Sequence, residues 1–290
     1  MISPSETTVG FAGLGNLGAP MARRLLDVGW RVTVHDVTEH KTQPFAQAGA
    51  TVAGSVADVL ACDVLVLAVP DDHAVESLLL GPDGYYAGDG SGCLVIVHST
   101  ILPATAQRLA DVAADHGVGL IDAPVSGGAD RAADGDLTLF LGAEPDTAAR
   151  ADRLLGSVAS TVEHVGPPGA GAAVKLANQL MLFATLAGAH EALAMAGGYG
   201  VDEGAVLRAV GTSTGASWVT DHWGFFDRTA QAYTAAGTPV TDRPWSKDLL
   251  EILAAARAVG VEVPVAAVTS QTLAPAVEQH AHDTARPEQS

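Results

Sequence analysis

Between residues 7 and 165, short runs of apolar, β-branched residues alternate with stretches whose apolar positions recur every three or four residues. The short runs are bounded by glycine, proline and aspartate, which predicts strands over 8–12, 31–35, 63–69, 93–98, 118–122, 137–141 and 161–165. Strand alternating with amphipathic helix is the pattern of a parallel sheet covered by helices, here an α/β domain over residues 1–166. From residue 170 the period changes. Long alanine- and leucine-rich stretches with helical spacing predict an all-α domain over 167–280, with helices at 170–199, 202–211, 217–229, 246–259 and 265–280. Asp202 and Ser246 are the expected N-caps. Gly237, Pro239 and Pro244 mark 229–245 as a loop, and the polar residues 281–290 read as a flexible tail. A helix over 170–199 would be about 45 Å long, enough to join the two domains.

Gly13-Leu14-Gly15-Asn16-Leu17-Gly18 follows the first predicted strand and opens a helix over 16–28, and Asp36 ends the next strand. In that context the glycines form a dinucleotide-binding loop, and the first domain is of Rossmann type. Gly13 permits the turn, Gly15 lets the pyrophosphate approach the backbone, and Gly18 lets helix and strand pack closely. Unpaired N–H groups at the helix start face the phosphates. Asp36 can accept hydrogen bonds from both adenosine ribose hydroxyls and would repel a 2′-phosphate, so NAD is favoured over NADP. Val37 offers no guanidinium for such a phosphate, although His40 and Lys41 lie nearby.

Three later segments carry candidate chemistry. In Asp122-Ala123-Pro124-Val125-Ser126-Gly127-Gly128 an apolar run ends in a hydroxyl and two glycines, whose N–H groups could cradle a carboxylate or could belong to an ordinary Gly-Gly turn. Lys175 and Asn178 stand one helical turn apart in an apolar stretch, so a cation and an amide address one spot. A lysine desolvated there can exchange a proton near neutral pH, though its long side chain can also reach solvent. Lys247 begins a late helix, where the dipole disfavours a cation. Either an external anion or an ion pair accounts for it.

Composition narrows the function classes. The chain has 290 residues, 48% of them hydrophobic, which suffices for two domains. A net charge of −18 argues against nucleic acid and anionic lipid as partners. Cys62 and Cys93 lie inside apolar runs and suggest neither a disulfide framework nor a thiolate metal site. His190-Glu191 lacks a second histidine at the zinc-binding spacing, so no metal is expected. There is no basic stretch followed by an apolar core at the N-terminus, and apolar stretches are interrupted by charge or glycine. A cytoplasmic protein without a membrane span is expected.

The glycine loop continuing to Met21, the Asp122–Gly128 segment, the stretch from Gly169 through Lys175 and Asn178 to Gln179, and Lys247-Asp248-Leu249 occur in this order. Together they resemble the β-hydroxyacid dehydrogenase family, the relatives of 3-hydroxyisobutyrate dehydrogenase, tartronate semialdehyde reductase and, more distantly, 6-phosphogluconate dehydrogenase. The likeness runs from about Val9 to Gln279. It implies an N-terminal Rossmann-type domain and an all-α C-terminal domain joined by a long helix, with substrate bound between them and self-association into a homodimer or homotetramer. By that resemblance Ser126, Gly127 and Gly128 hold a substrate carboxylate, Lys175 holds the reacting hydroxyl and Asn178 orients it. Val69, Pro70 and Thr100 line the nicotinamide side, and Lys247 lies near the cofactor.

The expected reaction is reversible hydride transfer between NAD and a small, carboxylate-bearing 3-hydroxy acid. Residues 238–246 depart from the aliphatic run usual before Lys-Asp-Leu, and Trp218 is expected to line the distal pocket. Imine reductases share the architecture but generally lack the lysine. The lysine likewise argues against a catalytically silent NAD-binding protein.

Overall fold

The computed structural model describes residues 2–87 and 94–285. It divides into two compact units, Met1–Lys175 and Leu176–Ser290.

The first unit is built on a parallel-rich sheet. Its strands are β1 (Thr8–Ala12), β2 (Arg31–His35), β3 (Thr51–Val52), β4 (Val64–Leu67), β5 (Leu94–Val97), β6 (Gly119–Asp122), β7 (Val125–Ser126), β8 (Leu137–Gly142) and β9 (Ala159–Gly166). The order is β3-β2-β1-β4-β5-β6-β8-β7, with β9 on β8. From β3 to β6 every pairing is parallel, and then β8 runs antiparallel to β6 and β7. That reversal qualifies the expectation of a purely parallel sheet. It arises because β6 turns directly through Pro124 into β7, which lies on β8 in hairpin fashion with α6 in the connection. The central strands β4 and β5 are buried along their whole length, as strands covered on both faces must be.

Helices α1 (Gly18–Asp27), α2 (Gln43–Gln47), α3 (Val56–Leu60), α4 (Asp72–Leu80), α5 (Pro103–Asp115), α6 (Gly128–Asp134) and α7 (Pro145–Val158) follow the strands. One core holds Val9, Phe11, Met21, Leu25 and Leu154, and a second holds Leu65, Leu67, Val95, Val97 and Leu109. Alternate residues of β1, β4 and β5 feed the two, the signature of a sheet with a core on either face. Each fully buried side chain of this size contributes about 1.5–3 kcal/mol.

The second unit comprises most of α8 (Ala170–Gly198) with α9 (Glu203–Val210), α10 (Trp218–Asp221), α11 (Phe225–Ala235), α12 (Pro244–Ala258) and α13 (Pro264–Thr284). Phe183, Leu186, Phe226, Trp245, Leu249 and Leu273 form its core. Asp202 caps α9 as expected, accepting from the Ala205 N–H at 3.1 Å. Several expectations are corrected here. The helix expected over 217–229 breaks at Gly224, whose φ of +89° starts α11 afresh. α11 continues to Ala235, so the 229–245 loop shrinks, and a 3₁₀ turn at Val240–Asp242 occupies part of it. α12 begins at Pro244, because proline's fixed φ suits a first helical position. Ser246 therefore lies inside the helix and is no N-cap. α13 extends to Thr284, which removes 281–284 from the expected tail; residues 286–290 lie outside the described residues.

α8 is long and apolar enough to cross a membrane by length and composition, against the expectation that such stretches would be interrupted. Its buried side chains include Ala172, Leu176, Phe183 and Leu186 and the polar Lys175 and Gln179, but only 11% of the apolar stretch is buried, and Met181 and Met195 are exposed. Cys62 is buried with its thiol pushed up by that burial, and Cys93 lies outside the described residues.

Candidate active site

Local sterics explain the glycine loop. Gly13 has φ +98°, and a Cβ there would lie 2.3 Å from the Ala68 carbonyl oxygen. A Cβ on Gly18 would lie 2.0 Å from the Gly13 carbonyl oxygen, so α1 could not pack against the turn. Gly15 differs, because a Cβ there would meet no protein atom within 4 Å. Its bareness serves nothing inside the protein and leaves room for a pyrophosphate at the start of α1. α1 itself starts at Gly18 with Leu17 before it, two residues later than expected, which leaves Asn16 in the turn.

Asp36, directly after β2, has a side chain only 7% exposed. Its two oxygens accept from the Leu14 N–H at 2.7 Å and the Thr38 N–H at 2.8 Å. The acid thus holds the glycine loop against the end of β2 and keeps lone pairs on both oxygens for a ribose diol. Lys41 Nζ stands 3.8 Å from the carboxylate, and Val37 is exposed. These residues fit a bound NAD.

After β4 and β5 the chain passes Val69-Pro70 and Ser99-Thr100. The Val69 N–H donates to Ser99 Oγ at 2.9 Å, joining the two loops. Behind them His98 is buried, with Nδ1 at 2.7 Å from the Ala123 carbonyl oxygen, and burial pushes its pKa down to about 4. Neutral imidazole therefore links the end of β5 to the residue after β6.

Lys175 is the last residue of the first unit and 8% exposed. Its Nζ donates to the Val125 carbonyl oxygen at 2.9 Å, so the fold brings it to the segment that continues as Ser126, Gly127 and Gly128. Gly127 and Gly128 have φ of +138° and +77°, a backbone that only glycine adopts readily. Sequence reasoning missed the element that anchors this arrangement. Asp122 is fully buried, and its carboxylate accepts from the Gly169 and Ala172 N–H groups, both at 2.8 Å, at the start of α8. Burial raises its pKa to about 6, against the lowering effect of those backbone donors. The signal was available: an aspartate ends an otherwise apolar strand.

In the second unit Asn178 is half-buried and donates from Nδ2 to Gln179 Oε1 at 3.1 Å. Gln179 in turn donates to Asp248 at 2.7 Å. Lys247 lies 2.6 Å from Glu251 and 3.4 Å from Asp248. Burial would lower its pKa, but the two carboxylates outweigh that and raise it. Lys247 is thus ion-paired with two carboxylates of its own helix. Trp218 is 44% exposed and stacks on His222 with ring centroids 4.5 Å apart. Among the described residues no cluster of His, Cys, Asp and Glu is placed to hold a metal ion.

The sheet, the bare glycine loop and the acid at the end of β2 define a dinucleotide-binding domain of Rossmann type. Residues 8–166 match the NAD binding domain of 6-phosphogluconate dehydrogenase, and residues 169–287 match the family described as NAD-binding of NADP-dependent 3-hydroxyisobutyrate dehydrogenase. A 3-hydroxyisobutyrate dehydrogenase of Pseudomonas aeruginosa is 35% identical over 266 residues, covering 90% of this chain and 89% of that protein. An NAD-dependent L-serine dehydrogenase of the same organism is 34% identical over 214 residues, covering 73% and 72%. The solved Mycobacterium tuberculosis 3-hydroxyisobutyrate dehydrogenase with L-serine superposes with a TM-score of 0.79 at 28% identity, covering 95% of each chain. The chain belongs to the β-hydroxyacid dehydrogenase family, and it is an NAD(P)-dependent dehydrogenase acting on a CH–OH group.

Proposed function

We propose that this dehydrogenase oxidises a small 3-hydroxy acid to the corresponding semialdehyde or 3-oxo acid, reversibly, with Lys175 as the proton carrier. The single observation that carries the reading is the buried Lys175 amine, held 2.9 Å from the Val125 carbonyl next to Ser126. NAD held with its pyrophosphate at the glycine loop would supply, in its nicotinamide ring, a two-electron hydride acceptor. Ser126 and the N–H groups of Gly127 and Gly128 hold the substrate carboxylate. Lys175, in its amine form, takes the hydroxyl proton, the O–H electron pair becomes the second bond of the carbonyl, and the carbinol hydrogen departs as hydride with the C–H electron pair; in the reverse direction the lysine returns the proton. Asn178 orients the reacting hydroxyl, Trp218 lines the distal pocket, and Val69, Pro70 and Thr100 border the nicotinamide. Lys247 lies toward the cofactor with Glu251 and Asp248 setting its position.

Asp36 supports NAD over NADP. The names of the relatives support 3-hydroxyisobutyrate and L-serine as the first substrates to offer. We assign residues 1–166 to cofactor binding and 167–280 to substrate contact and to self-association as a homodimer or homotetramer, in the cytoplasm. The test is initial-rate oxidation of 3-hydroxyisobutyrate, L-serine, glycerate and threonate with NAD or NADP, followed at 340 nm, in wild type and Lys175→Ala. Loss of general acid–base catalysis lowers turnover about 10²–10⁴-fold while NAD affinity stays within about twofold. Undiminished turnover in the variant removes Lys175 from the mechanism. Reduction of cyclic imines, or NAD binding with no turnover on any alcohol, would replace the reaction itself.

A further inference from the structure

Asp122 caps a helix that does not follow it in sequence. Oδ1 takes the Gly169 N–H and Oδ2 the Ala172 N–H, donors that the first turn of α8 leaves without intrahelical partners. Lys175 comes three residues after Ala172, on the same face of the helix. Three residues after Asp122 comes Val125, whose carbonyl receives Lys175 Nζ. The short stretch from Asp122 to Val125 is therefore bonded to α8 at both ends, first at its opening turn and then at the lysine.

The clasp has no slack. A Cβ on Gly142 would lie 2.4 Å from Asp122 Oδ1 and 2.7 Å from the Gly171 nitrogen. A Cβ on Gly171 would lie 2.3 Å from the Phe140 carbonyl oxygen and 2.9 Å from Asp122 Oδ2. Two glycines thus clear the space in which strand, carboxylate and helix meet. A hydroxyl or amide could cap one N–H group at lower desolvation cost, but only a carboxylate presents two acceptors to both.

We propose that Asp122 is the positioning residue for Lys175, fixing the height of α8 against β6 so that the amine stands beside Ser126. The inference rests on the assignment of Lys175 as proton carrier. The groups acting on the carboxylate are the N–H groups of Gly169, Gly171, Ala172 and its own residue. β8 contributes Gly142 opposite it, which has no side chain. Of the titratable side chains on neighbouring elements, His98 past β5 is neutral above about pH 4, and Lys175 lies on α8 itself.

The experiment compares full-length wild type, Asp122→Asn and Lys175→Ala, with rates expressed per NAD-binding site. Lys175 exposure is read by reductive methylation and mass spectrometry, with Lys41 as the internal reference. Asp122→Asn should lower kcat on 3-hydroxyisobutyrate or L-serine at least thirtyfold, leave the KM for NAD within twofold, and speed Lys175 methylation about tenfold. A role in folding alone would cost yield but leave kcat per site and Lys175 labelling at wild-type values, and that result overturns the proposal. If Lys175→Ala keeps its turnover, the premise fails first and the positioning role falls with it. Hydrogen exchange at pH 7 gives a second readout: protection at residues 169 and 172, corrected for intrinsic rate, should fall in Asp122→Asn but not in Lys175→Ala, while β1 stays protected in both. Equal protection at 169 and 172 in the two variants refutes the clasp.

Discussion

Replacing Asp36 by asparagine should convert the cofactor preference, and the structure sets the size of the effect. The carboxylate accepts two backbone N–H groups, from Leu14 and Thr38, and each oxygen retains a lone pair for one ribose hydroxyl. Asparagine turns one acceptor into a donor and removes the charge. Losing one charge-assisted bond to NAD costs about 1.5–3 kcal/mol, a 10- to 150-fold fall in kcat/KM. For NADP the same change removes repulsion between the carboxylate and the 2′-phosphate, about 3 kcal/mol per charge pair at roughly 5 Å and an effective dielectric near 20. It also frees Lys41, now 3.8 Å from the acid, to meet the phosphate. The two effects together amount to about 5 kcal/mol, a change of 10³–10⁴ in the ratio of kcat/KM values. Both ratios are measured with one hydroxy acid at fixed ionic strength. Dissociation constants from fluorescence quenching separate binding from turnover, and thermal melting corrects for the weakened loop anchor. A ratio that moves by less than tenfold, or a wild type that already prefers NADP, would show that Asp36 does not face the ribose.

Two further results are expected. Gly18→Ala pushes a Cβ to 2.0 Å from the Gly13 carbonyl and should destabilise the first unit by about 1–3 kcal/mol, whereas Gly15→Ala meets no protein atom and should leave stability unchanged yet weaken NAD binding at least tenfold. Thermal melts and NAD titrations check both, and an unimpaired Gly15→Ala would take the pyrophosphate away from that residue. In the second unit His280 lies 2.7 Å from Asp227 and 3.2 Å from Glu203. Burial lowers its pKa but the two carboxylates outweigh this and raise it, so its stabilisation is complete below the unfolded value near 6.5 and disappears as pH rises through the folded value. The site is partly exposed, so screening limits the effect to about 1 kcal/mol or less. His190, with its ring 5.4 Å away and its pKa lowered by burial and by His280, works in the opposite direction. The difference in urea midpoint between wild type and His280→Gln should therefore be greatest near pH 5.5 and fade toward pH 9. A gap that does not change with pH refutes the charge account.

What was legible in the sequence was whatever is encoded locally. The alternation of β-branched runs with amphipathic stretches located most strands within a residue or two, since a strand covered on both faces needs a continuous apolar run. The glycine loop was legible because its constraints lie within six residues and one neighbouring strand. Two-residue strands escaped notice: Thr51–Val52 and Val125–Ser126 are too short to show a period and exist only through their partners. In the helical unit the errors fell at boundaries where a single residue decides. Gly224 splits one expected helix, and Pro244 starts another before Ser246 could cap it.

The candidate site divides along the same line, and the division explains why Asp122 was overlooked while Lys175 was not. A lysine in an apolar helix is conspicuous without any partner, because nothing apolar explains its charge. An aspartate at the end of a strand has an ordinary local explanation as the place where the chain meets water. Here it meets none: it is fully buried, and its partners are backbone N–H groups 47 and 50 residues later, which carry no side-chain signature. Glycine supplies the remaining clue, but only in pairs distant along the chain. Gly142 and Gly171 are unremarkable separately and become informative when the fold sets both against one carboxylate. A buried acid bonded only to backbone is thus nearly invisible in a single sequence. The reactive group it holds in place can be read directly.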